Sequence, residues 1–290
     1  MANKIDEQTA WSLLRAVPSG LADKTSPTRV HHDPNPDVWL QVNPSGHWET
    51  SHSLDVPAND LLGLYLPLQL SHDLVIGQIG QSLDGRIATK DGQSHYVTGP
   101  ADIRRVHRLR ALVDAVVVGA STVDADNPRL TVREVEGKNP VRVVLDPQGR
   151  LSPDRSIFCD GVARTLVARQ AAGDQTVPTV EGDLLLLPES EPDLNTMSEG
   201  TNGFAPGVIL EALRACGLRR ILVEGGGVTV SRFLQSGTLT RLHICVAPIL
   251  IGSGRHSLTL PPITSLDEAL RPPFRLFHLD DDLLFDFDLG

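Results

Sequence analysis

The segment Ile221-Leu222-Val223-Glu224-Gly225-Gly226-Gly227 carries the plainest chemical suggestion in the chain. An apolar run suited to a buried strand ends in a carboxylate and three glycines, and the helical pattern Val228–Gln235 follows at once. Glycines let a ligand approach the backbone, and a helix start offers free N–H donors and the positive end of the dipole. That suits a pyrophosphate. The segment is not the G-x-G-x-x-G fingerprint of the doubly wound dinucleotide fold, and a plain tight strand–helix turn is the simpler alternative. Glu224, at the strand's end, adds an acceptor for sugar hydroxyls.

Basic residues supply a second kind of chemistry. In the predicted helix Pro100–Val113, Ile103, Val106, Leu109 and Val113 share one face at about 100° per residue. Arg110, seven positions after Ile103, falls near that apolar face, whereas Arg104, Arg105 and Arg108 point away and are expected to be solvated. A guanidinium edging into a core needs an anion, because an unpaired buried charge is costly. The anion is either a structural carboxylate or a bound phosphate. Arg133 closes the small, polar run Gly119 to Arg133, which follows a strand and is a second candidate phosphate ligand. Asp84-Gly85, after the strand Val75–Ile79, is a turn pair whose carboxylate could also face a substrate ring.

These residues need elements to hold them. Apolar runs predict strands at Val75–Ile79, Ala115–Val118, Val141–Leu145, Thr165–Ala168, Leu184–Leu187, Ile221–Val223 and Leu242–Ala247. Helices are predicted at Pro100–Val113, Gly207–Cys216 and Val228–Gln235, and Phe274–Leu279 with Leu283–Leu289 reads as a closing hairpin. The alternation points to an α/β sheet covered on both faces. Pro188 to Pro206 reads as a loose loop. Residues 1–70 differ: they are rich in proline, with an amphipathic helix at Asp6–Val17 (Trp11, Leu14 and Val17 on one side). A hairpin is expected around Asn43-Pro44-Ser45-Gly46, and His31-His32-Asp33-Pro34 reads as a loop. The expected division is therefore residues 1–70, an N-terminal extension without assigned chemistry, and residues 71–290.

Composition narrows the function classes. The 290 residues carry a formal net charge of −10, which disfavours nucleic-acid binding without excluding a locally basic pocket for a small anion. The richest apolar stretch, Leu61 to Leu70, contains Pro67 and falls short of the ~20 residues of a membrane span. No secretory core opens the sequence, so a cytoplasmic location is expected. Cys159, Cys216 and Cys245 make no metal or redox spacing, and no zinc-deaminase pattern is present; no metal site is expected.

Five segments in order resemble one family: Ser82-Leu83-Asp84-Gly85-Arg86, Ser94-His95-Tyr96-Val97-Thr98, Val106-His107-Arg108-Leu109-Arg110-Ala111, Asp126-Asn127-Pro128-Arg129-Leu130-Thr131-Val132-Arg133 and Val223-Glu224-Gly225-Gly226. Together they resemble the reductase domain of the RibD family of riboflavin biosynthesis, over about residues 74–289. The resemblance implies a dihydrofolate-reductase-like α/β fold, with a large mixed, mostly parallel sheet flanked by helices, commonly in a homodimer. It also implies reduction of the ribosylamino side chain of 5-amino-6-(5-phosphoribosylamino)uracil to the ribityl form, with NADPH as cofactor and NADH as the alternative.

Carried over by position, Ser94, Arg110, the backbone at Leu130, and Arg133 are expected at the substrate's phosphate, and Glu224 at its sugar or ring. Thr122, Asp126, the backbone near Gly80 and Tyr96, and the turn Gly226, Gly227, Val228, Thr229, Val230, Ser231 and Arg232 are expected at the cofactor. Asp84 is a candidate proton donor, with water the alternative. Two positions depart from the pattern: Gln78 stands where many relatives carry Lys, and Pro147 where many carry Ser beside Asp146. They keep two alternatives open, a paralogous reductase of another small heterocycle or carbonyl compound, and a non-catalytic nucleotide-binding module with residues 1–70 over the pocket.

Overall fold

Short β-branched runs separated by amphipathic segments cannot bury both strand faces unless helices cover the sheet. The computed structural model has that architecture. It describes residues 4–21, 26–172, 176–188 and 203–290. The chain forms two units, Met1–Leu74 and Val75–Gly290.

In the first unit, α1 (Glu7–Ala16) starts at Asp6, whose carboxylate accepts the Thr9 N–H at 2.8 Å. It buries Trp11, Leu13 and Leu14, as its periodicity requires. The antiparallel strands β1 (Thr28–His32), β2 (Asn35–Val42) and β3 (Trp48–Thr50) include the expected hairpin. His31 and His32 lie in β1 rather than in a loop. The apolar stretch containing Pro67 belongs to α2 (Val56–Leu70), capped by Asp55. Trp11 of α1 meets Tyr65 of α2 edge-on, ring centroids 5.9 Å apart.

The second unit is built on β4 (Leu74–Ser82), β6 (Ala115–Gly119), β7 (Val141–Leu145), β8 (Thr165–Gln170), β9 (Thr179–Glu181), β10 (Leu184–Leu187), β11 (Arg220–Glu224), β12 (Arg241–Ala247), β14 (Phe274–Leu279) and β15 (Asp282–Asp288). They form one ten-stranded sheet in the order β14-β15-β12-β4-β11-β6-β7-β8-β10-β9. Pairing is parallel from β11 through β6, β7 and β8 to β10, and between β12 and β4; β14, β15 and β9 run antiparallel to their neighbours. β5 (Arg86–Ala88) and β13 (Arg255–His256) make a separate small ladder. The helices are α3 (Pro100–Leu112), α4 (Ala120–Asp126), α5 (Ser156–Cys159), α6 (Pro206–Ala215) and α7 (Gly227–Gln235). Val117, Val143, Leu166, Val223, Leu213 and Phe233 are at most 1% exposed in the principal core; each such side chain is worth about 1.5–3 kcal/mol of burial.

Two expectations about this unit change. The run Gly119 to Arg133 is not simply a loop, because its first part is the helix α4. On α3 the buried face is only partly the expected one: Leu109 and Val113 are buried as the periodicity requires, but Arg105 joins them and Ile103 does not. Asp102, Arg105, Leu109 and Leu112 are buried, while Ile103 is 38% exposed. Periodicity marks which residues share a face, but both a core and a ligand cavity accept apolar side chains. Arg105 is buried because Asp102 Oδ1 takes its Nε at 2.7 Å and its Nη1 reaches His243 Nδ1 at 3.0 Å. Most of the predicted loop 188–206 lies outside the described residues. Among the described residues, no helix is long and apolar enough to cross a membrane.

Candidate active site

The carboxyl ends of β4, β6 and β11 open into a cavity of about 440 Å³, walled on one side by α3. An adjoining cavity of about 640 Å³ lies over the start of α7, between α4 and the loop after β7. Ile87, Ser94, Thr122, Asp126, Gly226 and Gly227 line both, so two ligands placed there would touch at this seam.

The glycine turn makes the seam narrow. Gly225 and Gly226 have φ of +94° and +30°, backbone that disfavours side chains. A Cβ on Gly227 would stand 2.1 Å from the Ser257 carbonyl oxygen, and one on Gly226 would stand 3.1 Å from Thr122 Oγ1. The backbone is thus bare where α7 begins, no side chain caps it, and Gly226 and Gly227 line both cavities. Val228, Thr229 and Arg232 continue that wall, and Phe204, Pro206 and Ile209 give it an apolar floor. Arg232 Nη2 donates to the carbonyls of Gly203 and Phe204 at 3.0 and 3.2 Å. Arg150 Nη2 donates to Ser121 Oγ at 3.3 Å, on a loop that Asp146 holds by accepting the N–H groups of Arg150 and Leu151. These residues fit a dinucleotide: a bare helix start for a pyrophosphate, an apolar slot for a ring, and cations beside it.

The first cavity is cationic at one end. Arg110, Arg129, Leu130 and Arg133 gather there. Burial, then Arg110 and Arg129, lower the pKa of Arg133, the signature of like charges held close. Leu130 takes φ +52°, a conformation unusual for a branched side chain. His107 Nδ1 accepts the Arg133 N–H at 2.9 Å, which leaves the ring proton on Nε2. Burial, helped by the charges of Arg110 and Arg133, pushes the His107 pKa down to about 4. The imidazole is therefore a neutral prop for the segment that carries Arg133.

Arg110 is paired. Its Nε and Nη2 donate to Glu224 Oε1 and Oε2 at 2.7 and 2.6 Å, and Nη1 reaches the Thr131 carbonyl at 3.2 Å. Both side chains line the cavity, so the structural carboxylate and the anion site coexist at one arginine. Ser94 Oγ donates to Asp126 Oδ1 at 3.1 Å at the seam, and Tyr96, at φ +67° and 88% exposed, stands on the cavity rim.

Most residues expected at the site thus come together: Gly80, Ser94, Tyr96, Arg110, Thr122, Asp126, Leu130, Arg133, Glu224, Gly226 and Gly227 line the first cavity, and Val228, Thr229 and Arg232 the second. Three do not. Val230 points into the core, and Ser231 accepts the Thr259 N–H at 2.9 Å. Asp84 lines neither cavity; its carboxylate takes Ser82 Oγ at 2.6 Å and the N–H groups of Ile251 and Gly252 at 3.1 and 2.6 Å. Those hydrogen bonds, Ser82 first, pull its pKa down to about 2, which makes it a turn anchor and a poor acid.

Sequence reasoning passed over Thr98, Asp102 and His107 in the first cavity and Arg255 and His256 in the second. Asp102 sits in the first turn of α3, where an acid is ordinary dipole complementation. The available signal was its i,i+3 spacing from Arg105. Among the described residues, no group of His, Cys, Asp and Glu could hold a metal ion.

The chain matches the model of the RibD C-terminal domain over residues 73–277. It is 34% identical over 220 residues to the 2,5-diamino-6-ribosylamino-4(3H)-pyrimidinone 5′-phosphate reductase of Methanothermobacter thermautotrophicus, covering 73% of this chain and 96% of that one. It is 30% identical over 273 residues to the riboflavin biosynthesis protein RibD of Escherichia coli, covering 87% and 71%. Among solved structures, RibD of Acinetobacter baumannii superposes with a TM-score of 0.60 at 24% identity, covering 80% of this chain and 62% of that one. The riboflavin biosynthesis reductase Rib7 of Saccharomyces cerevisiae gives 0.57 at 19%, covering 75% and 90%. The structural likenesses speak to the dihydrofolate-reductase-like fold. The chain spans less than two thirds of the A. baumannii protein's length.

Proposed function

The chain belongs to the RibD C-terminal domain family, and on that premise we propose that it reduces the ribosylamino side chain of a phosphorylated aminopyrimidine to the ribityl form in riboflavin biosynthesis, with NADPH as reductant and NADH as the weaker alternative. Two forms of the pyrimidine are candidates: 5-amino-6-(5-phosphoribosylamino)uracil, and the 2,5-diamino-4(3H)-pyrimidinone for which the archaeal relative is named.

The observation that carries this reading is the pair of adjoining cavities, one ending in Arg110, Arg129 and Arg133, the other opening on the bare start of α7. In this reading Arg133, Arg110, Ser94 and the Leu130 backbone hold the 5′-phosphate. Glu224 holds the Arg110 guanidinium flat against that end and presents its carboxylate edge to the sugar. Thr122, Asp126 and the turn from Gly226 to Arg232 hold the cofactor, with Gly80 and Tyr96 at its reactive end. When bound, the nicotinamide supplies a hydride to C1′ of the opened sugar. The protein contributes position, the larger part of the work in cofactor enzymes. Asp84 is engaged in its turn, so the proton that completes the reduction comes from water.

The active species in this reading is a homodimer. On one face of the terminal hairpin Phe274 and Leu276 are 56% and 46% exposed beside Phe285 and Phe287, an apolar surface of the kind that partners cover. The test of the function is product analysis: incubation with NADPH and either pyrimidine should give a ribityl compound two hydrogens heavier, and unchanged pyrimidine after long incubation would refute it.

A further inference from the structure

The cationic end of the first cavity rests on a segment without regular structure of its own. Residues 127–133, between α4 and β7, are neither helix nor strand, so their backbone groups need partners from elsewhere. Two of them also take left-handed backbone, Asn127 at φ +42° and Leu130 at φ +52°. Asparagine tolerates that conformation. A branched leucine, buried as Leu130 is, keeps it only when its surroundings hold it there.

Side chains from outside the segment do the holding. Arg142, on β7 and 1% exposed, donates Nη1 to the Arg129 carbonyl at 3.2 Å. The same guanidinium donates to Asp160 Oδ2 at 2.9 Å, the Ala163 carbonyl at 2.7 Å and Thr165 Oγ1 at 2.9 Å. Asn139 Oδ1 accepts the Val132 N–H at 2.7 Å. From α3, Arg110 Nη1 donates to the Thr131 carbonyl and His107 Nδ1 accepts the Arg133 N–H. Backbone groups of residues 129, 131, 132 and 133 are thus each fixed by a side chain, with Leu130 between them. Among the described residues, the N–H groups of Leu130 and Thr131 donate to no protein acceptor.

Arg142 and Asn139 line neither cavity. A guanidinium whose task were only to join β7 to the chain around β8 would need Asp160, Ala163 and Thr165 alone. Its donation to Arg129 carries that rigidity into the cationic end. Resting on the reading of this end as the phosphate site, we infer that Arg142 and Asn139 are its positioning residues, which set the preference for a phosphorylated substrate without touching it. They hold Leu130 in its left-handed turn before any ligand arrives. The free N–H groups of Leu130 and Thr131 then need no reordering to meet an anion, and Arg133 departs from a fixed backbone.

The test uses the full chain with the phosphorylated pyrimidine, the same compound without its phosphate, and ribose 5-phosphate as a probe that needs no turnover. Arg142→Met keeps an apolar stem and removes the guanidinium, and Asn139→Ala removes one acceptor from an exposed side chain. Each should raise KM for the phosphorylated compound and the calorimetric Kd of ribose 5-phosphate, roughly tenfold for Arg142→Met and about fivefold for Asn139→Ala. The kcat, the NADPH Kd and kcat/KM for the unphosphorylated compound should stay within about twofold. Asn139→Asp, which keeps an acceptor for the Val132 N–H, should restore the KM. A role in folding alone would lower every activity together with Tm and leave KM unchanged. Where Arg142→Met fails to fold, Asn139→Ala and Asn139→Asp decide. Equal losses with and without the phosphate, or an unchanged ribose 5-phosphate Kd in the folded variants, overturn the inference. An unaltered chain that binds ribose 5-phosphate but turns over no pyrimidine strikes the reductase reading and leaves the positioning of the anion segment standing.

Discussion

Arg110 and Glu224 meet through two parallel hydrogen bonds, Nε to Oε1 at 2.7 Å and Nη2 to Oε2 at 2.6 Å, from the last turn of α3 to the end of β11. The pair ties the helix that walls the first cavity to the strand that leads into the glycine turn. With side chains 11% and 8% exposed, neither charge can be left alone cheaply. Arg110→Ala should therefore cost about 3 kcal/mol of stability, and the double variant with Glu224→Gln less than the sum of the two single changes. Urea unfolding of the four proteins measures this; strict additivity would show that the pair is not coupled.

Arg133 is expected to act on substrate rather than cofactor. Its guanidinium lies in the first cavity and its backbone N–H rests on His107, away from α7. Losing one charged hydrogen-bonding partner costs about 1.5–3 kcal/mol, so Arg133→Ala should raise the pyrimidine KM roughly ten- to a hundredfold. The NADPH Kd, by fluorescence, should stay within about twofold, a change of ~0.4 kcal/mol. Equal effects on both ligands would move Arg133 out of the phosphate site.

Acid should loosen the protein through its buried histidines. His243 titrates at about 4 in the folded chain against 6.5 for an ordinary histidine, burial outweighing the opposing pull of Asp286. A neutral folded histidine that gains a proton on unfolding contributes stability present above pH 6.5 and lost as pH falls toward 4. The loss from this group is on the order of 3 kcal/mol. His107, also lowered to about 4, adds in the same direction. Asp286, held at about 2 against burial by His243, Arg241 and Arg275, loses its contribution only as pH falls from 3.8. Urea midpoints across this range should decline, and less steeply in His243→Asn; a flat profile in the unaltered protein would contradict the burial argument.

Leu276 stands on the edge strand β14, exposed beside Phe274 and the Phe285 and Phe287 rings. A carboxylate there would have to be desolvated in any assembly that covers this face. Leu276→Asp should sediment as a monomer under conditions where the unaltered chain is a dimer. An unaltered chain that is already monomeric would remove the dimer from the account.

Much of the site was readable before the structure. Arg110, Arg133, Glu224 and the glycine turn were singled out by helix phase, by their places at strand ends and by five segments in register, although each alone has a plainer structural reading, and the structure gathers them around one cavity. The misreadings have common physical causes. Ile103, Val106 and Arg110 were placed toward a core when they face the cavity, because a cavity wall and a core wall look alike in sequence. Arg105 was read as solvated because its partners, Asp102 and His243, include one that is 138 positions away in sequence. Asp84 looked like an acid because its hydrogen-bond donors, Ile251 and Gly252, come from another loop. Helix α4 lacked a long enough apolar pattern to stand out from its polar neighbours.

The most direct measurement is the initial rate of NADPH oxidation by the full chain with 2,5-diamino-6-ribosylamino-4(3H)-pyrimidinone 5′-phosphate, against mixtures lacking protein or pyrimidine. Oxidation that requires both, saturates with pyrimidine, and yields one ribityl product per NADPH consumed is the expected result. NADPH binding with no pyrimidine-dependent oxidation, from either this compound or its uracil counterpart, would contradict it.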